Sequence, residues 1–384
     1  MNKTMTKMTM VVAMSLVVIA LAIMSEFSVH YNYSGAKEAI TEKNFINPTP
    51  SLSSNLTTQT LDTKKLKIAL LTDALFSDAG WGAFGYNAAQ ELSNKYGYEI
   101  DFKDNVSIPD IENTLRQYSK SGYDLIIAQG FKWGVPAVEV GKDYPNTKFV
   151  VFTGLGNSNN VASIFPMQQQ ATYLLGALAA MMTKTGIIGF VGGEKYPNVV
   201  DIYEGYKQGA HDINPHIKVL AIYLNDWDNA TKGKKAAISQ INSGADLILH
   251  VADSSGHGVI QAAKEKGIYA FGAVSDQNKL APNTVLTSFV LDVDKAFDKA
   301  VKMVKTGNFT GIIFKPGLEL DKGAKGDGIV YLAPFHNLKN SVPDGVKLKI
   351  EQLKRQILNG TIVVPEEIQQ HIVINSTAGK TIPK

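Results

Sequence analysis

The residues in this chain that could do chemistry stand where apolar runs end. If those runs are strands, their carboxyl ends carry acids, aromatic residues or glycines: Asp73, Gly130, Phe131, Gly154, Gly192, Gly193, Asp226, Trp227, Asp253 and Asp276. Ligands of open parallel sheets bind beyond the carboxyl ends of the strands, so these residues are predicted to share one edge. Acids together with exposed rings suit a polar ligand with a flat ring or a sugar face.

Each of these residues also has an ordinary structural interpretation. Asp73, Asp253 and Asp276 are well placed to cap the helices that follow them. Trp81 fits the core of its own helix, and Trp133 fits the rim of a lobe better than a ligand contact. The case for a binding cleft is therefore the coincidence of these residues on one edge.

Sequence motifs of enzymes are incomplete in this chain. GLGNSN (154–159) lacks the third glycine of a dinucleotide fingerprint, and TKGKKA (231–236) lacks the upstream glycine and the hydroxyl residue of a P-loop. DSSGHG (253–258) contains no nucleophile elbow, and the seven histidines form no pair with metal-ligand spacing. The sequence predicts a binding protein with no catalytic residues, no metal and no cofactor.

Composition excludes further classes of protein. The formal net charge of the 384 residues is only +3, and the basic residues are scattered, so a nucleic-acid partner is not expected. There is no cysteine, which excludes disulfides, thiolate metal sites and cysteine nucleophiles. It also excludes lipid attachment through a cysteine.

The amino-terminal segment predicts export. Lys3 and Lys7 precede an uncharged apolar run over 8–24, typical of a signal peptide or a signal-anchor, which we assign to residues 1–25. Residues 26–63 are rich in Ser, Thr and Asn without periodicity, which predicts a flexible tether. The protein is expected on the outer face of the cell membrane, held there by its amino terminus.

Short apolar runs alternate with amphipathic stretches from Lys64 onward, a pattern that indicates a parallel sheet covered on both faces. About 300 residues of this pattern exceed what one such sheet needs, so two lobes are predicted. The predicted strands cover 67–73, 124–130, 148–154, 186–193, 218–224, 246–252, 269–274 and 284–290. The predicted helices cover 82–95, 134–143, 167–183, 199–212, 230–243 and 257–266.

Several motifs of this chain resemble those of the basic membrane protein family and occur in the same order. KIALLTD (67–73), ATYLLGALAAMMTKTGIIGFVGG (171–193) and WDNATKGKKAA (227–237) carry the resemblance, and HVADSSGHGVIQAAK (250–264) and VKLKIEQLKRQILNGTIVVP (346–365) continue it. It extends over about 66–367. The resemblance implies a substrate-binding component of an ABC importer for nucleosides, with the type I periplasmic-binding-protein fold.

The resemblance also implies roles for particular residues. Asp73 matches the ligand-binding acid of the first strand. Trp81 and Trp227 match two aromatic residues that sandwich a base in the nucleoside binders. Ser254 and Ser255 stand where the family has a glycine-rich turn facing the ligand.

Three positions depart from the family pattern. Val274 replaces an acid, Leu291 stands where the family often has a lysine, and Thr153 stands where an acid is common. Those positions are expected to hold a ribose and a base edge. The ligand is therefore a nucleoside held differently, a free base or another small polar molecule.

We predict two doubly wound parallel-sheet lobes, joined by a hinge with crossovers near 164–167, near 287–290 and at one later point. The predicted function is capture of a small polar ligand, most simply nucleoside-like or nucleobase-like, for ABC permease subunits. The alternative is a ligand-sensing receptor acting with a separate signalling partner. The predicted parts are lobe 1 (about 64–165, 288–310 and part of the carboxyl terminus), lobe 2 (about 166–287 and part of 311–345) and a tail (368–384).

Overall fold

The structure is a computed structural model, and it describes residues 65–78, 80–319 and 327–366. The predicted signal segment (1–25), tether (26–63) and tail (368–384) lie outside the described residues. Within the described ranges, no helix combines the length and the apolar character needed to cross a membrane.

Twelve strands form two sheets within the described residues. The first sheet is parallel throughout, in the order β11-β5-β4-β3-β1-β2. Its strands are β1 (Ile68–Thr72), β2 (Ile100–Lys103), β3 (Leu125–Gln129), β4 (Lys148–Phe152), β5 (Val161–Ile164) and β11 (Ile313–Phe314). The second sheet has the order β12-β10-β9-β8-β6-β7, with only β12 antiparallel to its neighbour. Its strands are β6 (Ile187–Gly192), β7 (Lys218–Tyr223), β8 (Leu247–Val251), β9 (Tyr269–Gly272), β10 (Val285–Leu291) and β12 (Val330–Leu332).

Nine α-helices alternate with these strands in the described part of the chain. They are α1 (Trp81–Tyr96), α2 (Ile111–Lys120), α3 (Gly134–Asp143), α4 (Gln168–Met182), α5 (Pro197–Ile213), α6 (Ala230–Asn242), α7 (Asp253–Lys266), α8 (Val293–Lys305) and α9 (Asp344–Leu358). Short 3-10 helices cover Ile108–Asp110, Phe131–Trp133, Asn278–Leu280 and His336–Ser341.

The central strands are buried on both faces because they consist almost wholly of apolar residues. All five residues of β1, of β3 and of β8 are buried. Such continuous burial is expected of parallel strands covered by helices on both sides. The edge strand β2 instead alternates half-buried and exposed residues.

The chain passes between the lobes at three places. The first lies between β5 and α4, within the predicted segment 164–167. Because β10 continues to Leu291 in the second sheet, the chain returns to the first lobe at Asp292, just after the predicted segment. There α8 packs against α1 and β3. The third passage follows β11, and α9 then packs against α4 of the second lobe.

Candidate ligand-binding site

A cavity of about 150 Å³ lies between the two lobes, at the carboxyl ends of their strands. Six of the sequence-predicted site residues line it: Asp73, Trp81, Gly130, Phe131, Trp227 and Asp253. The topology explains their meeting, because β1 and β3 end at this edge in the first lobe and β8 ends there in the second. The cavity thus has acids and aromatic rings from both lobes.

The two indoles that line the cavity have fixed supports. The ring of Trp81 stacks on Phe152, with centroids 5.5 Å apart and planes 7° apart. Trp227 lies against the backbone of Gly193, where an added Cβ would come within 2.3 Å of the ring. Only a glycine permits that approach. Each indole therefore has a supporting surface in its own lobe.

Asp73 lies at the end of β1 and is anchored by the third tryptophan. The Nε1–H of Trp133 donates to its Oδ1 at 3.1 Å. Burial raises the pKa of Asp73, and this hydrogen bond opposes the shift. Trp133 itself is fully buried in the first lobe, so it positions the acid and does not line the cavity.

Asp253 is the first residue of α7 and has a left-handed backbone, with φ of 47°. Its Oδ1 accepts the backbone N–H of Trp81, in the opposite lobe, at 2.8 Å. Its carboxyl also reaches the carboxyl of Asp78. Burial, and then the charge of Asp78, raise the pKa of Asp253 to about 8. Two carboxyls in contact favour a proton between them, which is why the neighbouring acid raises the pKa of Asp253.

Further contacts join the lobes beside the cavity. Ser254 Oγ donates to the backbone carbonyl oxygen of Asp78 at 3.0 Å. The rings of Phe131 and Tyr196 stack across the cleft with centroids 5.8 Å apart. The Nζ of Lys132 lies 4.7 Å from the centre of the Tyr196 ring. With these contacts formed, the cleft is closed.

Three of the predicted site residues do not line the cavity. Ser254 makes the contact between lobes just described. Gly154 lies beneath the loop after β3, where a Cβ would meet the carbonyl oxygens of Gly130 and Phe131 at 2.9 and 3.1 Å. Asp276 turns toward His336, whose Nε2 is 2.7 Å from its Oδ2.

Several lining residues were not predicted from the sequence: Gln168, Tyr196, Asn198, Val199, Ile202, Asp228 and Val251. Four of these residues lie at the start of α5 or in its first turns: Tyr196, Asn198, Val199 and Ile202. The Oδ1 of Asn198 is buried without a hydrogen-bond partner. The available signal was Tyr196-Pro197-Asn198, which begins three residues after Gly193, because proline marks the first turn of a helix.

No group of acidic or histidine side chains among the described residues could hold a metal ion. The cavity offers carboxyl, amide and hydroxyl groups and stacked rings. These can bind and orient a small molecule by hydrogen bonds and stacking.

Comparison with known proteins identifies the family. Residues 65–367 match the family described as Bmp, ABC transporter substrate-binding protein PnrA-like. The chain belongs to this family. A purine-binding protein of Brucella abortus (strain 2308) is 31% identical over 302 residues, covering 78% of this chain and 83% of the relative. The transcriptional activator protein med of Bacillus subtilis (strain 168) is 32% identical over 246 residues, covering 64% of this chain and 77% of the relative.

The fold has a close counterpart among solved structures. An ABC transporter solute-binding protein of Aeropyrum pernix K1 superposes with a TM-score of 0.71 at 23% identity, covering 82% of this chain and 98% of the other. The resemblance and the two-lobed fold predicted from the sequence are thereby confirmed. The chain is a solute-binding protein of the ABC transporter type, and membership of this family implies a small-molecule ligand and permease partners.

The three positions that depart from the Bmp pattern have distinct places in the structure. Thr153 and Val274 line the cavity, and both have a left-handed backbone, with φ of 64° and 66°. That conformation is strained for β-branched residues and is typical of functional sites. Leu291 is 2% exposed and packs in the core of β10, away from the cavity.

Proposed function

We propose that this Bmp-family protein captures a planar nucleobase-like or nucleoside-like ligand in the cleft and presents it to an ABC permease. The observation that carries the proposal is the presence of an indole from each lobe, Trp81 and Trp227, in one cavity. Rings on two sides of a cleft suit a flat heterocycle, because every base has a π face. The Brucella relative named for purine binding supports this ligand class.

Capture would work by closure of the lobes. A ligand that touches both Trp81 and Trp227 favours the closed arrangement by the difference between its affinities for the closed and open forms. The contacts of Asp253 and Ser254 with the opposite lobe add to the closed arrangement. The permease would then distinguish the loaded protein from the empty one by its shape.

The test is substitution of the two cavity indoles. Trp81→Ala and Trp227→Ala should each weaken binding of adenosine by about 1–3 kcal/mol, because each removes a stacking surface. Trp227→Phe should lose much less, since a ring remains. Calorimetry gives the affinities, and thermal unfolding shows whether each variant is folded.

Leu348→Ala serves as a control, because that side chain is 72% exposed on α9. It should leave adenosine affinity unchanged. Unaltered binding by folded Trp81→Ala and Trp227→Ala variants would refute the sandwich.

We also propose that residues 1–25 hold the protein on the outer face of the membrane and that 26–63 form a tether. The basic start and apolar run of the sequence support this. Recovery of the whole chain in the soluble fraction after cell lysis would contradict the anchor.

A second candidate function is ligand sensing with a separate signalling partner. Its support is the relative named as a transcriptional activator. Co-purification with a permease would favour transport, whereas ligand-dependent association with a regulator and with no permease would favour sensing.

A further inference from the structure

We infer that the cleft selects ligands that present hydrogen-bond donors, such as amino-substituted heterocycles, over ligands with an oxo group or a negative charge at the same position. This inference rests on the proposed function and narrows its ligand class. It follows from the acids that line the cavity and from the anchored carboxyl of Asp73.

The lining of the cavity contains acids but no basic side chain among the described residues. Asp73, Asp228 and Asp253 line it, and no lysine, arginine or histidine does so among the described residues. The nearby Lys132 lies over the ring of Tyr196. The donors that do line the cavity are neutral amide, hydroxyl and indole groups. A phosphate or carboxylate would enter without a cation to neutralise it, which is costly in a desolvated site.

Asp73 is held so that its carboxyl can accept from a ligand. Trp133 anchors Oδ1, and a Cβ at Gly130 would lie 2.5 Å from that same oxygen. The carboxyl is therefore confined on the side of the first lobe. Burial disfavours the charged form of the Asp73 carboxyl and so raises its pKa. A ligand amino group would restore hydrogen bonds that the carboxylate loses on leaving water, whereas a ligand carbonyl would face it with a second acceptor.

The second lobe contributes the acids Asp228 and Asp253 to the lining, and no cation among the described residues. Acidic side chains from both lobes thus border the molecule between them.

Adenosine and inosine form a matched pair for the test, because they differ in an amino group against an oxo group on the same ring. Calorimetry at constant pH should find adenosine bound at least about tenfold more tightly than inosine, as expected for loss of a hydrogen bond to a charged acceptor. Adenine against hypoxanthine repeats the comparison without ribose. Adenosine monophosphate should bind more weakly than adenosine, again by at least about tenfold.

The variant Asp73→Asn connects this preference to the structure, since it keeps the size of the side chain and replaces an acceptor by a donor. It should reduce the preference for adenosine over inosine. Asp143→Asn, at an exposed acid at the end of α3, is the matched control and should keep the preference.

The outcomes separate this inference from the proposed function. A preference below tenfold in the wild-type protein, tighter binding of inosine, or equal binding of the monophosphate would overturn the donor rule and leave the nucleoside proposal standing. If none of these compounds binds, the proposed ligand class fails and the donor rule fails with it.

Discussion

At the scale of single residues, Asp253 is an acid at the cleft whose pKa depends on groups of the opposite lobe. In the closed cleft this carboxyl meets Asp78 and the backbone N–H of Trp81, both from the opposite lobe. Asp228 adds a further negative charge nearby, and that charge also acts to raise the pKa. Opening the lobes would expose the carboxyl to water and return its pKa toward the ordinary value of 3.8. Closure therefore takes up a proton.

The pH dependence of binding follows from this proton uptake. A group whose pKa is raised in the closed form stabilises that form fully below the open-form pKa. The stabilisation decreases as the pH rises and is gone above about 8. Adenosine affinity should therefore decrease between pH 5 and 8, by at most about tenfold per pH unit, and then level off. Calorimetry across this range measures it.

Asp253→Asn should remove most of this pH dependence, because an amide keeps the shape of the carboxyl and needs no proton to contact Asp78. Glu351→Gln, at an exposed position of α9, should keep it. An affinity in the wild-type protein that is constant from pH 5 to 9 would show that Asp253 does not change its protonation on closure.

The sequence predicted those site residues that lie at or near the ends of strands. Asp73, Trp81, Trp227 and Asp253 follow or begin elements whose ends are readable from apolar runs, and the structure places all four at the cavity. Asn198 was missed because it becomes a lining residue only when the first turn of α5 faces the opposite lobe. The direction of Asp276 was also unreadable, since His336 is 60 residues away along the chain.

At the scale of elements, the sequence predicted the long buried segments better than the short or exposed ones. The run 67–73 became β1 and the run 124–130 became β3, because continuous apolar residues need burial on both faces. The strand β2 was missed, since its four residues alternate in burial at a sheet edge. The helix α7 starts at Asp253, four residues before the predicted 257, and Asp253 has a left-handed backbone at this first position.

The glycine pair that ends β6 predicts a specific effect on binding. Gly193 donates its N–H to the carbonyl of Val251 at 2.8 Å, which fixes it beneath the Trp227 ring. In Gly193→Ala the new methyl group would displace the indole, which is partly exposed and can swing away. We expect adenosine affinity to decrease about tenfold, near the middle of the stacking range, with little change in unfolding temperature.

Gly345→Ala is the matched control for this substitution, because a Cβ there meets no atom within 4 Å. It should leave binding unchanged and stabilise α9 slightly, since alanine favours a helix over glycine. Wild-type affinity in a folded Gly193→Ala variant would mean that the position of Trp227 does not matter to the ligand.

At the scale of the whole molecule, Tyr196 links the lobes through its ring. It stacks on Phe131 of the first lobe, lies 4.7 Å from Lys132 Nζ and has its centroid 5.9 Å from that of Trp227. Aromatic pairs contribute about 0.5–1.5 kcal/mol and a cation over a ring about 0.5–1 kcal/mol. The contacts with Phe131 and Lys132 cross the cleft and exist only while it is closed, so they should hold the ligand in after it has bound.

Tyr196→Ala should therefore speed the release of adenosine by about tenfold and leave the association rate nearly unchanged, because most affinity differences within one interface lie in dissociation. Tyr196→Phe keeps the ring on Phe131 and Lys132 and should release adenosine at close to the wild-type rate. Stopped-flow tryptophan fluorescence gives both rates. Small-angle X-ray scattering should show that adenosine compacts the wild-type and Tyr196→Phe proteins more completely than Tyr196→Ala. Equal release rates for the two variants would show that the Tyr196 ring does not hold the cleft closed, and would favour other contacts between the lobes, such as those of Asp253 and Ser254.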